Sequence, residues 1–362
     1  MLKASPYQWL VACTAVVEPL RWNRFALCYG GLMHPITSPQ GMSRLASALG
    51  LAALLGCATP IDLQGHRGAR GLAPENTLAA FDTALTLGVS TLELDTVLTR
   101  DNVVVISHDA NLNPNLTRDA RGNFIDAPGP AIRSLSLDEL RGFDVGRLRA
   151  GSRYAQNFPE QRAADGQRVP TLAELFELVQ RRGAAHVRFN IETKISPLSP
   201  ELTPEPEAFV RAVLDVAQRH GMEQRFTLQS FDWRTLQVAQ RIAPGVPTVY
   251  LSAQQTWTNN VADPRWTAGL KLAEHGSVPR MVKAAGGKVW SPYHGDLDAA
   301  LLVQAHELGL SVVVWTVNEP ADIDRLLDLG VDGIISDRPD RVRLALAARG
   351  WRLPRPIPEA RH

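Results

Sequence analysis

Cysteine is nearly absent from this chain of 362 residues: Cys13, Cys28 and Cys57 are the only three, and none lies beyond residue 57. The body of the chain therefore has no disulfide framework, no thiolate metal site and no cysteine nucleophile. Charge of one sign is also lacking. Lys plus Arg number 38 against 37 for Asp plus Glu, a formal net charge of +1. Nothing in that balance points to a nucleic-acid partner, which normally requires a basic face. No G-x-G-x-x-G follows the first β-like run, which argues against hydride transfer with a dinucleotide. What remains, 45% hydrophobic and 21% charged residues, is the make-up of an ordinary soluble enzyme long enough for one large barrel or two smaller domains.

The N-terminus reads as targeting sequence. From Met42, MSRLASALGLAALLGCATP offers Arg44 as a short basic region and 45–56 as a leucine-rich, small-residue stretch. That stretch is too short to span a bilayer, which takes about 20 apolar residues. Leu54-Leu55-Gly56-Cys57 is similar to a bacterial lipoprotein signal, with Cys57 as the lipidated first mature residue. A plain signal peptide with an incidental cysteine is the alternative. Residues 1–41 show no helix or strand program and read as an over-extended start or a disordered extension, 42–57 as the signal, 58–350 as the barrel and 351–362 as a C-terminal tail. Export to the periplasm or outer membrane is the expectation, with membrane contact only through the anchor.

Within the body, β-rich runs at 61–66, 91–97, 186–193, 226–230, 247–251, 288–290, 311–316 and 333–336 alternate with amphipathic stretches such as 77–87, 172–179, 299–308 and 323–329. Strands followed in turn by helices or loops predict a parallel sheet, and this number of them suits a TIM (β/α)₈ barrel. A doubly wound open sheet is the alternative. The run 103–107 follows strand 91–97 too closely for a parallel crossover, so it must return antiparallel, as a hairpin turning at Asp101-Asn102. A two-residue turn would pair Arg100 with Val103 and set His108 opposite Asp95. Residues 110–168, rich in Asn, Asp, Arg, Gly and Pro, read as an insertion over the barrel mouth.

The chemical groups fall at strand ends. Glu93 and Asp95 are two apart on one strand, so both face the barrel interior while Leu92 and Leu94 face the helices. Two interior acids repel unless neutralised, and a divalent cation, Ca²⁺ or Mg²⁺, does this with carboxylate oxygens. Glu192 ends another strand, with Lys194 two residues on. Caps and interior salt bridges are the plainer reading of any one acid, but three at strand C-termini match the place where barrel enzymes build their sites. His66 ends the first strand and is followed by Arg67 and Gly68. Paired with His108 it offers one proton acceptor and one proton donor, while Arg67 and Lys194 suit a phosphate. Together these groups suit cleavage of a phosphodiester.

The blocks Gly65-His66-Arg67-Gly68, Pro74-Glu75-Asn76-Thr77, Glu93-Leu94-Asp95, Thr99-Arg100-Asp101 and Ser107-His108-Asp109 resemble, in order and spacing, the signature of the glycerophosphodiester phosphodiesterase family. Ile191-Glu192-Thr193-Lys194, Leu228-Gln229-Ser230-Phe231, Val314-Trp315-Thr316-Val317-Asn318 and Asp332-Gly333-Ile334-Ile335-Ser336-Asp337-Arg338-Pro339 are similar to its later blocks, so the resemblance spans about 62–345. It implies a TIM barrel with an inserted segment that hydrolyses glycerophosphodiesters to glycerol 3-phosphate and an alcohol. It also implies Glu93, Asp95 and Glu192 as metal ligands and His66 and His108 as the acid–base pair. Arg67 and Lys194 would contact phosphate, Trp315 would wall the glycerol, and Gln229 would lie near the site. Glu75 matches too; orientation of Arg67 or support of the first helix is its plainer role. The link after Asp109 and the insertion beyond it are longer than usual, which leaves the alcohol open. Two rival readings are a barrel phosphodiesterase acting on intact lipids, similar to phospholipase C or sphingomyelinase D, and a non-catalytic surface binding lipoprotein.

Overall fold

The computed structural model describes residues 60–358. The targeting segment, Cys57 and the proposed start all lie outside the described residues. A nine-stranded sheet forms the centre. Its parallel strands are β1 (Asp62–Gly65), β2 (Thr91–Leu98), β4 (Arg188–Thr193), β5 (Phe226–Ser230), β6 (Thr248–Ser252), β7 (Val289–Pro292), β8 (Ser311–Val314) and β9 (Gly333–Ser336), and β3 (Val104–Ile106) runs antiparallel to β2. β1 pairs with both β2 and β9, so the parallel strands close into the expected (β/α)₈ barrel.

Each barrel strand is followed by a helix: Leu78–Leu87, Leu172–Arg181, Pro206–Arg219, Trp233–Ile242, Val278–Ala284, Ala299–Glu307, Pro320–Leu329 and Pro339–Ala348. Local chemistry sets their ends. Thr77 caps the first helix by accepting from the Ala80 N–H, and Gly88 closes it at φ 89°, a left-handed conformation that costs glycine little. Thr171 and Glu174 form a capping box on the second. Pro206, Pro320 and Pro339 open their helices, where a missing N–H costs nothing.

Strand parity divides the barrel. Leu92 and Leu94 point outward into the main core with Phe81, Phe176 and Phe189. The interior itself has two halves. On the β6–β9 side it is apolar, with Val249, Leu251, Val289, Val313, Trp315 and Ile335 in one cluster. On the β1–β5 side it is a hydrogen-bonded polar layer. Thr227 donates to Asn190 Oδ1 at 2.9 Å, Asn190 to Gln64 Oε1 at 3.2 Å, and Gln64 to Asp62 Oδ2 at 2.7 Å. Barrel interiors are commonly filled by branched aliphatics. The polar layer under half of this one satisfies its own groups and supports further polar groups above it.

One expectation is corrected. The β2–β3 register pairs Thr96 with Ile106 and Leu98 with Val104, and the Ser107 N–H donates to the Asp95 carbonyl at 3.0 Å. His108 is therefore one residue out of the expected register with Asp95. The turn takes three residues, not two: Asn102 adopts φ 62°, and Thr99 Oγ1 donates to Asp101 Oδ1 at 2.6 Å while accepting from the Val103 N–H at 3.0 Å.

Residues 110–168 pack their own small cluster, Leu112, Ile132 and Leu140, against Val97 and Val105 of the hairpin. Residues 351–358 lie along the opposite end of the barrel, where Ile357 is buried.

Candidate active site

Of the sequence-predicted site residues among those described, His66, Arg67, Glu93, Asp95, Glu192, Lys194 and Gln229 gather at the C-terminal ends of β1, β2, β4 and β5, Glu75 lies on the loop after β1, His108 follows β3, and Trp315 follows β8. Glu93, Asp95 and Glu192 each offer a carboxylate oxygen within 4.8 Å of the others. The register sets this up: Asp95 and Glu192 are direct partners across β2 and β4, and Gln229 partners Glu192 across β4 and β5. Gln229 Nε2 donates to Glu93 Oε1 at 3.1 Å. All three acids are buried.

The cations expected to hold phosphate border this acidic group. Arg67 takes a backbone φ of 51° that turns its N–H onto Glu93 Oε2 at 2.8 Å, while its side-chain Nε lies 3.1 Å from Asp95 Oδ2. Lys194 Nζ is 2.8 Å from Glu192 Oε1 and 3.7 Å from Asp95 Oδ1. Interior salt bridges and a shared acidic site thus coexist. Glu75 receives Arg67 Nη1 at 2.5 Å.

The electrostatics divide the acids. Burial raises the Glu93 carboxyl well above its usual range, and neighbouring Asp95 adds to the rise. Burial also raises Glu192, to about 7, against the pull of Lys194. Asp95 goes the other way. Burial would raise it, but Arg67, His108 and Lys194 outweigh that and hold it well below the ordinary carboxylate range. Asp95 Oδ1, Glu192 Oε2 and Gln229 Oε1 are buried without a hydrogen-bond partner. Such orphaned oxygens, all hard donors, fit a divalent cation of the Ca²⁺ or Mg²⁺ type.

Both histidines are buried and neutral at ordinary pH. His66 is pushed down to about 4, first by burial and then by Arg70, against the opposing pull of Asp337. Burial, then Arg67 and Lys194, lowers His108 as well. Each has its Nδ1 on a carboxylate, His66 on Asp337 at 2.5 Å and His108 on Asp109 at 2.8 Å. The Nε2 atoms of both have no hydrogen-bond partner, and that of His66 is 3.9 Å from Glu93 Oε2. A cavity of about 30 Å³, lined among others by Glu75, Asn76, His108, Asp109 and Asn113, lies beside His108. A wider surface groove of about 530 Å³, bordered by Glu207, Arg234 and Arg241, lies between two outer helices and holds no comparable group of acids and histidines.

Trp315 is fully buried and bonds Ser291 O through Nε1 at 3.0 Å. Phe231, Trp257 and Tyr293 pack edge-on around it, and Lys194 Nζ lies 5.8 Å from the Phe231 ring. An aromatic cluster with Trp315 buried at its centre thus lies beside the Lys194 side of the site.

Sequence reasoning passed over several residues. Asp337 holds His66, and Asn318 Nδ2 donates to Asp337 Oδ2 at 2.8 Å. Arg70 forks onto Asp337 at 2.8 and 3.1 Å. Asn76 donates to Asp95 Oδ2 at 2.9 Å. Asn76, Asn318 and Asp337 all stand inside quoted sequence blocks, which was the available signal. Arg70 and Tyr154, whose hydroxyl donates to Glu75 Oε2, carried none.

Comparison with known proteins agrees with this geometry. Residues 66–341 match the model of the glycerophosphoryl diester phosphodiesterase family. A glycerophosphodiester phosphodiesterase of Caldanaerobacter subterraneus subsp. tengcongensis is 27% identical over 276 residues, 76% of this chain and 93% of that protein. A crystal structure from Silicibacter pomeroyi DSS-3, assigned as a glycerophosphoryl diester phosphodiesterase, superposes with a TM-score of 0.73 at 37% identity, covering 82% of this chain and 96% of that one. A phosphodiesterase of Oleispira antarctica, solved with the product sn-glycerol-3-phosphate, shares the fold at a TM-score of 0.59 and 22% identity over 80% of this chain and 97% of that one. The fold and site define a barrel hydrolase. The chain belongs to the glycerophosphoryl diester phosphodiesterase family and is an enzyme of that class.

Proposed function

We propose that this enzyme hydrolyses glycerophosphodiesters to glycerol 3-phosphate and an alcohol at one divalent cation, with His66 and His108 exchanging the protons. The observation that carries this is the set of three buried carboxylates within 4.8 Å, bordered by Arg67, Lys194 and two buried neutral imidazoles. The product bound in the Oleispira antarctica relative supports the glycerol phosphate side of the reading.

Glu93, Asp95 and Glu192 would hold the cation. Bound there, it would supply Lewis-acid polarisation of a non-bridging phosphate oxygen. Arg67 and Lys194 bind and orient the phosphate. Each histidine donates Nδ1–H to its carboxylate, Asp337 or Asp109, which leaves Nε2 as the proton-exchanging atom. One Nε2 removes the proton of the nucleophile as a new P–O bond forms. Water gives glycerol 3-phosphate directly, whereas the glycerol 2-hydroxyl gives a cyclic phosphate that water opens in a second step, its P–O bond to the 2-oxygen breaking as that oxygen takes a proton. The other Nε2 delivers a proton to the alcohol oxygen as its P–O bond breaks. Export with a lipid on Cys57 remains part of this reading and would bring the enzyme to the membrane surface.

The test is release of glycerol 3-phosphate from a panel of glycerophosphodiesters, with EDTA and then with added Ca²⁺ or Mg²⁺. A micellar lysophospholipid and an intact phospholipid form the comparison arm. Turnover of the soluble diesters that EDTA stops and a cation restores is the expected result. Turnover confined to micelles, or indifferent to EDTA, would sink the proposal. His66→Ala and His108→Ala should each remove turnover with folding intact, and near-normal kcat in either refutes its role.

A further inference from the structure

We infer that Tyr154, supplied by the inserted segment, is a positioning residue for the anion-binding guanidinium of Arg67, acting through Glu75. This rests on the reading of Arg67 as a phosphate ligand.

Tyr154 lies on a short helix, Arg153–Gln156, capped by Ser152. Its ring is buried and packs against Phe158 at 5.3 Å between centroids. Its hydroxyl donates to Glu75 Oε2, while Glu75 Oε1 takes Arg67 Nη1 at 2.5 Å. One carboxylate is thus gripped from two sides, by a phenol from the insertion and by a guanidinium from the end of β1. Burial, and then the charge of Glu75, raises the phenol far above its usual range, so it stays protonated and keeps the O–H that it donates to Glu75.

A second arginine makes this grip consequential. Arg70 Nη1 lies 3.4 Å from the Tyr154 hydroxyl and 3.9 Å from Glu75 Oε2. Without the phenolic donor, Glu75 Oε2 is a buried carboxylate oxygen lacking its closest partner, and Arg70 is the cation within reach. Desolvated carboxylates do not stay half-satisfied. Glu75 would turn toward Arg70 and release Arg67, which would then fold further onto Asp95, 3.1 Å from its Nε. The guanidinium that should meet phosphate would be spent on the acidic group instead.

The insertion is tied down where this grip requires it. The Arg70 guanidinium lies 4.7 Å over the Phe158 ring, Gln161 Nε2 donates to Arg70 O at 2.7 Å, and the Arg162 N–H donates to Leu72 O at 2.9 Å. Glu160 accepts from Arg338 and from Arg341. These contacts fix residues 152–162 to the loop that carries Arg67, Arg70 and Glu75 and to the start of the last helix, Pro339–Ala348. A segment with no periodicity of its own is thereby wired to the phosphate site.

Tyr154→Phe keeps the ring and removes only the donor. Calorimetry with inorganic phosphate on the Ca²⁺- or Mg²⁺-loaded protein should show affinity about tenfold weaker, the size expected for one hydrogen bond to a charged group. KM for the best glycerophosphodiester should rise by a similar factor, with kcat within about threefold. Glu75→Gln should weaken phosphate more, and the double variant should match Glu75→Gln alone, because Tyr154 acts only through Glu75. A merely structural tyrosine would lower Tm in Tyr154→Phe and give additive losses in the double variant. Phosphate affinity within twofold of wild type in Tyr154→Phe, or additivity, overturns the proposal whatever the turnover. A wild type that binds phosphate but turns over no diester sinks the functional reading alone. A wild type that binds no phosphate sinks both.

Discussion

His66 Nδ1 lies 2.5 Å from Asp337 Oδ1, although 271 positions separate the two residues. Barrel closure makes the contact. Gly65 at the end of β1 pairs with Ser336 at the end of β9, so the next residue of each strand emerges side by side. Arg70 and Asn318 also donate to Asp337, so the carboxylate stays ionised and fixed. Burial would raise it, but Arg70 and His66 outweigh burial and hold it well below its usual range.

From this follows the behaviour of Asp337→Asn. The amide would no longer enforce the Nδ1–H tautomer, and Nε2 would lose its lone pair for part of the population. Loss of the equivalent carboxylate in Ser-His-Asp enzymes costs about 10⁴ in kcat. A fall in kcat of roughly 10²–10⁴ is expected here, with cation affinity within about threefold of wild type. Steady-state kinetics and a calorimetric cation titration check it, and kcat within threefold of wild type would refute the dependence.

Metal binding should release protons, and the amount should depend on pH. Glu93 lies well above its ordinary range and Glu192 at about 7, both chiefly through burial. In the metal-free protein both therefore hold protons that the unfolded chain, with ordinary carboxyls, has already lost. Above about pH 4.5 the folded state binds the extra protons, so metal-free stability falls as pH rises through the folded values. A cation needs the ionised ligands and drives those protons off. Its apparent affinity should climb from pH 6 to pH 8, with more protons released at pH 6. Calorimetry in buffers of different ionisation enthalpy measures this. Glu93→Gln should raise metal-free Tm while abolishing turnover, because it removes one of three crowded acids. Proton release independent of pH would contradict the charge state assigned to the pair.

The sequence made the barrel and the acids readable because both rest on short-range periodicity. Glu93 and Asp95 alternate with Leu92 and Leu94, and that alternation alone settles which side chains face inward. The position of His108 was less readable, since it depends on a turn whose length hangs on one left-handed asparagine, Asn102. Asp337 was visible as part of a motif but not as the partner of His66, because that contact exists only once the first and last strands meet. Tyr154 was not readable at all. It sits in a stretch with no helical or strand period, and its meaning comes from the loop it docks on.

The tail 351–358 should matter for stability and not for turnover. It lies where the first helix ends and β4 begins, at the end of the barrel away from the acids. The Ile357 N–H donates to Leu85 O at 2.9 Å, Arg182 Nη2 donates to Ile357 O at 3.1 Å and Pro358 O at 2.8 Å, and Arg343 Nη1 donates to Pro354 O at 2.8 Å. Burying one isoleucine contributes about 2 kcal/mol, and each of these hydrogen bonds about 1 kcal/mol net. Losing them also uncovers Leu85 and leaves Arg182 short of acceptors. A chain ending at Gly350 should therefore lose about 6 kcal/mol, read as a lower Tm and an earlier urea midpoint. At 25 °C its kcat and KM should stay within twofold of the full chain, since none of the removed contacts reaches β2, the histidines or Arg67. A shortened chain as stable as the full one would mean that the docked tail is held by the barrel without supporting it.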